Sequence, residues 1–462
     1  MKTERDQFGR VVKRSIGARN VEQSRHSYHW GKGNRLHRIV NELGRATSNF
    51  EYDAWDNLVS GTYQDTNGAE TIYKAPDAIG NLFKTPERKD RQYDKGGKLL
   101  KDEQYYYHYD AEGNLVFKEF IRSAYPAVFN KAHIEEQYSI RLQGSGSGWQ
   151  YNWAGNGMLQ SVILPQGGAV DFAYDPLGRR IAKQYKGKVT RWLWDGHVPL
   201  HEWHYEGEYP PRLSIEANGL KEAEEPVENV ITWIFEENSF VPCAKIIGTE
   251  RYSIVSDYLG TPTQAYSADG TKVWERELDI YGNVRKGNNE FVPFLYEGQY
   301  ADKETGLAYN RFRYYDVTTG NYLSQDPIGL HGGIELYSYV HDTNTWVDTF
   351  GLSRSNAGKA ALHKSLMTND KLPKNIRGWF VQQYNRGVPF SKMTIPPGYD
   401  RAHFRGYESA KGYDYSYSEL NMRANHELQH KYDDYGAKNK EGVSKKGTVK
   451  SKKKGKTKGV HH

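Results

Sequence analysis

A recurring pattern of aromatic, turn-forming and alternating apolar positions runs along most of the chain. Each copy has an aromatic residue, then a turn rich in Gly, Asn and Asp, then a stretch in which apolar and polar residues alternate. This pattern predicts a strand, a turn and a second strand. Because one hairpin cannot bury its own apolar face, we expect the copies to stack. The copies read YDAWDNLVSG from Tyr52, YDKGGKLLK from Tyr93, YDAEGNLVFK from Tyr109, YNWAGNGMLQ from Tyr151, YDPLGRRIAK from Tyr174 and, more weakly, DIYGNVRKG from Asp279.

The pattern changes after Leu352. SRSNAGKA, residues 353–360, has the small polar composition of a linker. LPKNIRGWFVQQYN, residues 372–385, has a proline near its start and apolar residues at helical spacing, which predicts a helix. Residues 388–404, VPFSKMTIPPGYDRAHF, follow with a β-like run and a PPG turn ahead of Asp400 and His403. The sequence therefore predicts a small domain of mixed helix and strand behind an all-β body.

Composition and charge support this division into an all-β body and a small C-terminal domain. The chain of 462 residues has 36 Tyr, 11 Trp and 46 Gly, as many short strands joined by tight turns require. Residues 353–462 hold 23 Lys and Arg against nine Asp and Glu, a net charge of +14. The first 352 residues carry −8. The basic end favours a polyanionic partner, although a solvated lysine tail without a partner has the same composition.

Three classes of protein are disfavoured. Cys243 is the single cysteine, so an intrachain disulfide is excluded. No run of 18 apolar residues exists, so no membrane-spanning helix is predicted. The N-terminal MKTERDQFGRVVKRS has no apolar segment of the kind that secretory signals contain. Export would therefore need a dedicated secretion apparatus.

The repeats resemble the YD repeats of the Rhs family. The stretch from FVPFLYEGQYADKETGLAYN through SQDPIGLHGG to WVDTFGL, residues 291–352, is similar to the Rhs core-terminal segment almost end to end. This resemblance implies a β shell that the segment closes and separates from a variable C-terminal toxin. The body is shorter than in that family, which implies a partial shell or one that needs a partner. The domains are then 1–290 for the YD-repeat body and 291–352 for the self-cleavage segment, followed by 353–437 for the toxin and 438–462 for a Lys-rich, disordered tail.

Two short motifs in this segment share one form, DPIGL from Asp326 and DTFGL from Asp348. Taken alone, DPIGL is also an ordinary Asp-Pro turn. The resemblance implies that Asp326 and Asp348 cut the chain between Leu352 and Ser353. Two carboxylates held together share one proton, so one can activate the attacking group while the other protonates the leaving amide. Thr349 replaces the family's proline, and we expect the looser backbone to slow cleavage.

A second helix is predicted to begin at Ser416 or Ser418 and to end at Gly436. On it, His426 and His430 lie at i and i+4, where both can hold one metal ion. They belong to HELQH, which matches the H-E-x-x-H pattern of zinc proteases. No third ligand follows at a useful spacing outside the Lys-rich tail. The metalloprotease interpretation therefore depends on Glu427 alone, and an i,i+4 histidine pair is as often a packed or capping pair.

A second interpretation of this region accounts for more of its polar residues. DRAH, from Asp400 and Arg401 to His403, is similar to the D-R-G-H motif of ββα-metal nucleases. That resemblance implies His403 as the base that deprotonates water, and a divalent metal ion, Mg or Zn, that stabilises the leaving oxygen. The implied metal ligands are His426, His430 and Asn421.

The region from LPKNIRGWF to HELQHKYDDYG also resembles the polymorphic toxin type 8 domain, which implies a nuclease. A metal-free RNase, with His403 and one helix histidine as acid and base, stays open. Arg401 and Arg405 are candidates to hold the scissile phosphate, and Arg405, Arg423 and Lys431 to bind nucleic acid. The same arginines could instead pair with neighbouring acids.

We therefore predict an antibacterial Rhs-type toxin precursor that cleaves itself after Leu352 and releases a nuclease that cuts DNA or RNA. The resemblance implies three partners: a type VI or similar secretion apparatus, a cognate immunity protein, and nucleic acid. It also implies synthesis in the bacterial cytoplasm, export, and action in the cytoplasm of the target cell. The alternatives are a metalloprotease toxin, a transferase, for which no Gly-rich cofactor loop is present, and a non-enzymatic YD-repeat interaction protein.

Overall fold

The computed structural model describes residues 1–18, 21–123, 129–211, 213–216, 219–237, 239–329, 335–352, 366–367, 372–386, 393–397, 399–403 and 418–422. The chain divides into two compact units. The first consists of residues 1–30, 35–327 and 334–352, and the second of residues 31–34, 328–333 and 353–462. No helix in the described part is long and apolar enough to cross a membrane.

In several of these repeats an aspartate holds the turn between two strands. Asp53 Oδ1 accepts hydrogen bonds from the backbone N–H of Trp55 and of Asn57, both at 2.9 Å. These bonds replace the strand pairing that the backbone loses in the turn, which is why Asp is favoured there. The same pair of bonds forms at Asp77, Asp175, Asp257 and Asp279. The predicted strand–turn–strand unit is thereby confirmed.

The aromatic residue before the turn joins one strand to the strand before it. Tyr174 donates its hydroxyl to the carbonyl of Leu159 at 2.7 Å, and Trp194 Nε1 donates to the carbonyl of Arg180 at 2.8 Å. Each acceptor is the first residue of the preceding strand. A large ring with one polar atom can fill the core and still satisfy a carbonyl at the end of a strand. The repeat therefore specifies how neighbouring strands pack against each other as well as where the chain turns.

Seven strands near the N-terminus form an antiparallel sheet in chain order. They are β1 (Lys2–Arg5), β2 (Val11–Ala18), β3 (Val21–Trp30), β4 (Leu36–Asn41), β5 (Ala46–Tyr52), β6 (Leu58–Asp65) and β7 (Gly68–Tyr73). A two-stranded pair follows, β8 (Ala75–Pro76) and β9 (Leu82–Phe83).

A second antiparallel sheet has fifteen strands, also in chain order. Its first ten strands are β10 (Gln92–Asp94), β11 (Lys98–Lys101), β12 (Tyr105–Tyr109), β13 (Leu115–Phe120), β14 (Gly148–Trp153), β15 (Leu159–Ile163), β16 (Ala169–Tyr174), β17 (Arg180–Tyr185), β18 (Lys188–Asp195) and β19 (Val198–Glu206). A separate hairpin, β20 (Leu213–Glu216) and β21 (Gly219–Glu222), interrupts the order. The sheet then continues with β22 (Ile231–Phe235), β23 (Pro242–Ile247), β24 (Glu250–Ser256), β25 (Pro262–Ser267) and β26 (Lys272–Glu275).

Smaller elements complete the first unit. Helix α1 (Lys131–Tyr138), which the repeat pattern does not predict, lies between β13 and β14, and Ile134 buries its apolar side. The weak sixth copy forms a hairpin, β27 (Glu277–Leu278) and β28 (Val284–Lys286). A four-stranded sheet follows, with β29 (Tyr300–Ala301), β30 (Leu307–Asn310), β31 (Arg313–Asp316) and β32 (Asn321–Tyr322).

Residues 291–352 lie against the YD turns of the long sheets. Leu58 and Leu115, which follow two of these turns, donate their N–H groups to the carbonyls of His341 at 3.2 Å and Leu323 at 2.8 Å. Tyr337 donates its hydroxyl to the carbonyl of Gly113, in the turn just before Leu115, at 2.6 Å. The segment that contains β30 and β31 therefore shares a hydrophobic core with the fifteen-stranded sheet, because its side chains pack with those of β11 to β16.

The described part of the second unit includes an α-helix and a hairpin, and a short 3-10 helix spans Lys32–Asn34. Helix α2 (Lys374–Asn385) confirms the helix predicted over 372–385, and its Ile376 and Phe380 pack with Leu366 and Met393. Strands β33 (Tyr399–His403) and β34 (Ser418–Met422) pair antiparallel. The prediction of a helix beginning at Ser416 or Ser418 is wrong for residues 418–422, because backbone pairing with β33 overrides the local capping signal. The remainder of that predicted helix lies outside the described residues.

Candidate functional site

Asp326 and Asp348, which the two short motifs singled out, come together around one arginine. Arg313 Nη2 lies 3.2 Å from Asp326 Oδ2 and 3.3 Å from Asp348 Oδ2. All three side chains are almost fully buried. Arg313 is the first residue of β31, while Asp326 is fixed by its N–H, which donates to the carbonyl of Leu336 at 2.8 Å. The fold thus places two carboxylates and one guanidinium in a single dry site.

Burial and hydrogen bonding act on Asp348 in opposite directions. Burial raises the pKa of Asp348 above its ordinary value, and the negative charge of Asp326 raises it further. Arg313 and the hydroxyl of Tyr322, which donates to Asp348 Oδ2 at 2.9 Å, favour the ionised form. Two buried carboxylates beside one cation carry an excess negative charge, which one shared proton would neutralise. Such a pair can supply both an acid and a base.

The segment from Asp348 to Leu352 is held along its backbone. The N–H of Leu352 donates to Asp348 Oδ1 at 3.0 Å, and Arg313 Nε donates to the carbonyl of Gly351. Asn310 Nδ2 donates to the carbonyl of Asp348 at 2.9 Å. Arg313 therefore contacts the residue next to Leu352 as well as both carboxylates.

Two glycines permit this close packing. Gly351 has a φ of 62°, in the left-handed region that L side chains rarely adopt, and a Cβ there would overlap the carbonyl oxygen of Asn310. Gly298, with a φ of 85°, lies against the carbonyl of Thr349, and a Cβ there would overlap that oxygen. The path of the loop is thus fixed by contacts from distant parts of the first unit.

Phe350 anchors the same loop through its ring. It packs edge-on against His197 with ring centroids 5.1 Å apart, and against Phe240 at 5.3 Å. Its carbonyl accepts a hydrogen bond from the N–H of Phe312 at 3.2 Å. His197 and Phe240 lie in turns of the fifteen-stranded sheet, so that sheet orients the motif directly.

The structure describes less of the other predicted residues. Asp400, Arg401 and His403 lie on β33, and Asn421 lies on β34 with its Cα opposite that of Asp400. Asn421 was expected on a helix, and the structure places it on a strand instead. Five other candidate residues lie outside the described residues: Ser353, Arg405, Arg423, His426 and His430. Glu427 and Lys431 lie outside them as well. Among the described residues, no three His, Cys, Asp or Glu side chains cluster as a metal site.

Sequence reasoning missed three residues that complete the carboxylate site. Arg313, Tyr322 and Asn310 each contact Asp348, and Asn310 Nδ2 also donates to Tyr322 Oη at 2.8 Å. The ring of Tyr322 lies under the guanidinium of Arg313, with the guanidinium carbon 3.6 Å from the ring centroid. Arg313 begins the tyrosine-containing strand sequence RYYD, where a charged residue needs a buried partner. That was the one available signal in the sequence.

Two family models match the chain. The model described as Teneurin YD-shell matches residues 227–334, and the model described as Bacterial toxin 8 matches residues 366–433. The first range contains β22 to β32 and Asp326, and the second contains α2, β33 and β34.

Similar proteins carry related descriptions. The probable deoxyribonuclease RhsA of Dickeya dadantii is 31% identical over 268 residues, which cover 56% of this chain and 16% of that protein. The double-stranded DNA deaminase toxin A of Burkholderia cenocepacia is 29% identical over 337 residues, covering 68% of this chain and 21% of that protein. This chain thus spans 16% and 21% of the lengths of these two relatives.

A solved structure of the Photorhabdus luminescens Tc holotoxin pore aligns with 76% of this chain and 16% of that chain, at 15% identity and a TM-score of 0.43. The similarity to known toxins rests on the family models, the curated relatives and the YD hairpins, and it does not depend on this solved structure. The chain combines a teneurin YD-shell region with a bacterial toxin 8 region, and it is similar to Rhs/YD-repeat polymorphic toxins.

Proposed function

We propose that the chain is a toxin precursor that cleaves its own backbone between Leu352 and Ser353. The supporting observation is the position of Arg313 Nη2, 3.2 Å from Asp326 and 3.3 Å from Asp348, beside a loop that ends at Leu352. Hydrolysis consumes one water molecule. One carboxylate takes a proton from the attacking water, and the other gives a proton to the amide nitrogen of Ser353 as the bond to Leu352 breaks. The products are a Leu352 carboxylate and a free Ser353 amine.

The roles of the two aspartates follow from their surroundings. Asp348 Oδ1 accepts the N–H of Leu352 at 3.0 Å and therefore lies within one residue of the bond to be cut. Its raised pKa favours the protonated form, which is the state of a general acid. Asp326 then acts as the base. Arg313 stabilises whichever carboxylate is ionised and, through Gly351, holds the loop still.

The test is the fragment pattern of the purified full chain. Wild type should give two fragments, with a new N-terminus at Ser353. Asp326→Asn and Asp348→Asn should each give one intact band, because an amide can neither take up nor release the required proton. The control is Asp269→Asn, in the exposed turn before β26, which should cleave like wild type. Asp302→Asn is unsuitable as a control because Asp302 pairs with the buried Arg180. Equal cleavage in wild type and both site variants would exclude this mechanism.

We also propose that the released region is a nuclease that acts in a bacterial competitor. Support comes from the bacterial toxin 8 match over 366–433, which includes Asp400 to His403, and from a relative described as a probable deoxyribonuclease. His403 is the proposed base, with Arg401, Arg405 and Arg423 as partners of the phosphate. A divalent metal ion would supply charge stabilisation at the leaving oxygen. Secretion, an immunity protein and action in the target cytoplasm belong to the same proposal.

The nuclease proposal is tested by expressing residues 353–462 and offering plasmid DNA and total RNA, with and without Mg²⁺, Mn²⁺ or Zn²⁺. Growth arrest should need His403 and should persist in Glu427→Gln. If Glu427→Gln abolishes toxicity while nucleic acids stay intact in cells expressing the wild type, the metalloprotease alternative is correct. A deaminase outcome, suggested by the name of the second relative, would appear as base changes in intact DNA.

A further inference from the structure

The hydroxyl of Tyr322 distinguishes between the two aspartates of the proposed cleavage site. Arg313 Nη2 lies at nearly equal distances from them, 3.2 Å from Asp326 Oδ2 and 3.3 Å from Asp348 Oδ2. Its charge therefore stabilises either carboxylate to a similar extent. A tyrosine hydroxyl carries a single hydrogen, and that of Tyr322 is donated to Asp348 Oδ2 at 2.9 Å. Tyr322 thus donates to the proposed acid and not to the proposed base.

The neighbouring amide of Asn310 fixes the direction in which Tyr322 donates. Asn310 Nδ2 lies 2.9 Å from the carbonyl oxygen of Asp348, which can only accept, so this atom of the amide is assigned as the nitrogen. Asn310 Nδ2 also donates to Tyr322 Oη at 2.8 Å. Because Tyr322 Oη accepts from Asn310, its own hydrogen is directed to Asp348 Oδ2. The three groups form one chain of hydrogen bonds that ends at the carboxyl group.

The ring of Tyr322 is held by its neighbours, so the hydroxyl keeps its position. Tyr322 is 2% exposed and pairs with Tyr315 between β31 and β32. The guanidinium carbon of Arg313 lies 3.6 Å from the ring centroid, and the rings of Tyr315 and Tyr339 pack with centroids 5.9 and 6.0 Å away. The side chain therefore loses its conformational freedom on folding and has little left to lose during a reaction.

Tyr322 keeps its own proton at neutral pH. Burial and the charge of Asp348 raise the pKa of Tyr322 well above its ordinary value. The phenol is therefore a hydrogen-bond donor to Asp348 and not a source of protons for the amide.

The bond from Tyr322 gains strength in the proposed acid step. Asp348 gives its proton to the amide nitrogen of Ser353 and becomes a carboxylate. A hydrogen bond to a carboxylate is about twice as strong as one between neutral groups. The donor therefore stabilises the transition state, in which the proton is leaving, more than the resting state.

Other charged and titratable groups also face Asp348. Burial has the largest influence on the pKa of Asp348 and raises it, while Arg313 lowers it and Asp326 raises it. Tyr339 bonds to the same residue through the main chain, since its Oη accepts the N–H of Asp348 at 3.3 Å. Tyr322 is uncharged and donates to the carboxyl group itself. Replacing it therefore removes a hydrogen bond to the acid without changing any charge.

We propose that Tyr322 is a positioning residue of the self-cleavage site, which stabilises Asp348 as its proton passes to the leaving amide. This role rests on the proposed cleavage between Leu352 and Ser353. Asn310 orients the hydroxyl of Tyr322. Tyr322 itself exchanges no proton, so the bonds made and broken are those of the proposed hydrolysis.

The test is the pH dependence of self-cleavage by the full chain, diluted from denaturant into buffers from about pH 4 to about pH 9. A general acid acts while protonated, so the rate falls as pH rises through the pKa of Asp348. Tyr322→Phe removes a donor that favours the carboxylate, so this pKa rises and the fall in rate should move up by about one pH unit. The maximal rate should drop about three- to tenfold, because a weaker acid gives up its proton less readily.

Tyr315→Phe is the matched control. It removes a hydroxyl from the same buried cluster, where Tyr315 donates to the carbonyl of Tyr281 at 2.9 Å. Its cleavage rate and pH profile should follow wild type, with tryptophan fluorescence reporting that each chain has folded. A second replacement places 3-fluorotyrosine at position 322. Its phenol is a stronger donor, so the fall in rate should move to lower pH, and it keeps the ring and hydroxyl should Tyr322→Phe not fold.

The outcomes separate this role from the cleavage mechanism. A fall in rate at one and the same pH in wild type, Tyr322→Phe and the fluorotyrosine chain would overturn the role of Tyr322, as would an equal shift in Tyr315→Phe. The proposed cleavage would still stand if Asp326→Asn and Asp348→Asn remain intact. Cleavage of both aspartate variants at the wild-type rate would exclude the proposed cleavage, and the role of Tyr322 with it.

Discussion

Asp326 and Asp348 meet at a single nitrogen atom, since each places its Oδ2 within 3.3 Å of Arg313 Nη2. The same guanidinium, through Nε, holds the carbonyl of Gly351. One side chain therefore couples the charge of the carboxylate pair to the position of the loop. This makes Arg313 the residue whose replacement is most informative.

Arg313→Lys should slow self-cleavage by on the order of a hundredfold while leaving the chain folded. A lysine keeps the positive charge between the carboxylates but has no fork with which to hold Gly351 at the same time. The measurement is the rate at which the full chain converts to fragments. Arg311→Lys is the matched control, because Arg311 is buried nearby and donates to the carbonyl of Leu177. Equal rates for both variants would show that Arg313 is only structural.

Thr349→Pro should change the cleavage rate by no more than about fivefold. The sequence predicts that Thr349 loosens the loop, but Gly298, Asn310, Phe312 and Arg313 already hold the backbone around it. A proline at a compatible site typically adds about 0.4–1 kcal/mol, mainly through the unfolded chain. The measurement is the time course of fragment formation for wild type and for Thr349→Pro. A large acceleration would mean that the loop moves despite these contacts.

Phe350→Ala should slow cleavage about tenfold and lower the melting temperature slightly. It removes two edge-to-face ring contacts, with His197 and Phe240, each worth about 0.5–1.5 kcal/mol beyond burial. Phe350→Leu should recover part of the rate, because it restores apolar contact without the ring geometry. Should the alanine variant cleave as fast as wild type, the ring is not needed to position the loop.

The stability of the first unit should fall as pH rises through about 7. Burial raises the pKa of Glu297 to about 7, and the nearby acids Asp257 and Glu236 add to the shift. A carboxyl whose folded pKa lies above its ordinary value of 4.5 stabilises the fold when protonated. Its contribution is complete below pH 4.5 and is lost as pH rises through about 7. Glu297→Gln should remove this loss, about 1–3 kcal/mol. Denaturant midpoints at pH 6 and pH 8, for both proteins, provide the measurement.

Nuclease activity of residues 353–462 should be lost in EDTA and restored by a divalent ion. His430→Ala should weaken metal binding, because it removes one of the proposed ligands. Calorimetry with the metal alone measures this independently of activity. Full activity against RNA in EDTA, with a bell-shaped pH profile bounded by imidazole pKa values, would favour the metal-free RNase instead. Toxicity without cleavage of DNA or RNA under any metal condition would exclude the nuclease.

The sequence by itself determined the repeating hairpins and the helix over 372–385. Both depend on contacts between residues close together in the chain. Asp53 bonds to backbone groups two and four residues later, and α2 buries Ile376 and Phe380 one turn apart. Short-range interactions of this kind leave a periodic trace in the sequence. The importance of Asp326 and Asp348 came from resemblance, since DPIGL alone also predicts an ordinary turn.

Only the tertiary structure decided what surrounds those aspartates. Arg313, Asn310 and Tyr322 reach Asp348 from distant strand positions, so no local pattern marks them. The same reason explains the error at Ser418–Met422, where pairing with Tyr399–His403 outweighs a local helix signal. Long-range pairing sets these positions, because the energy of burying polar groups depends on which partners the whole fold brings to them.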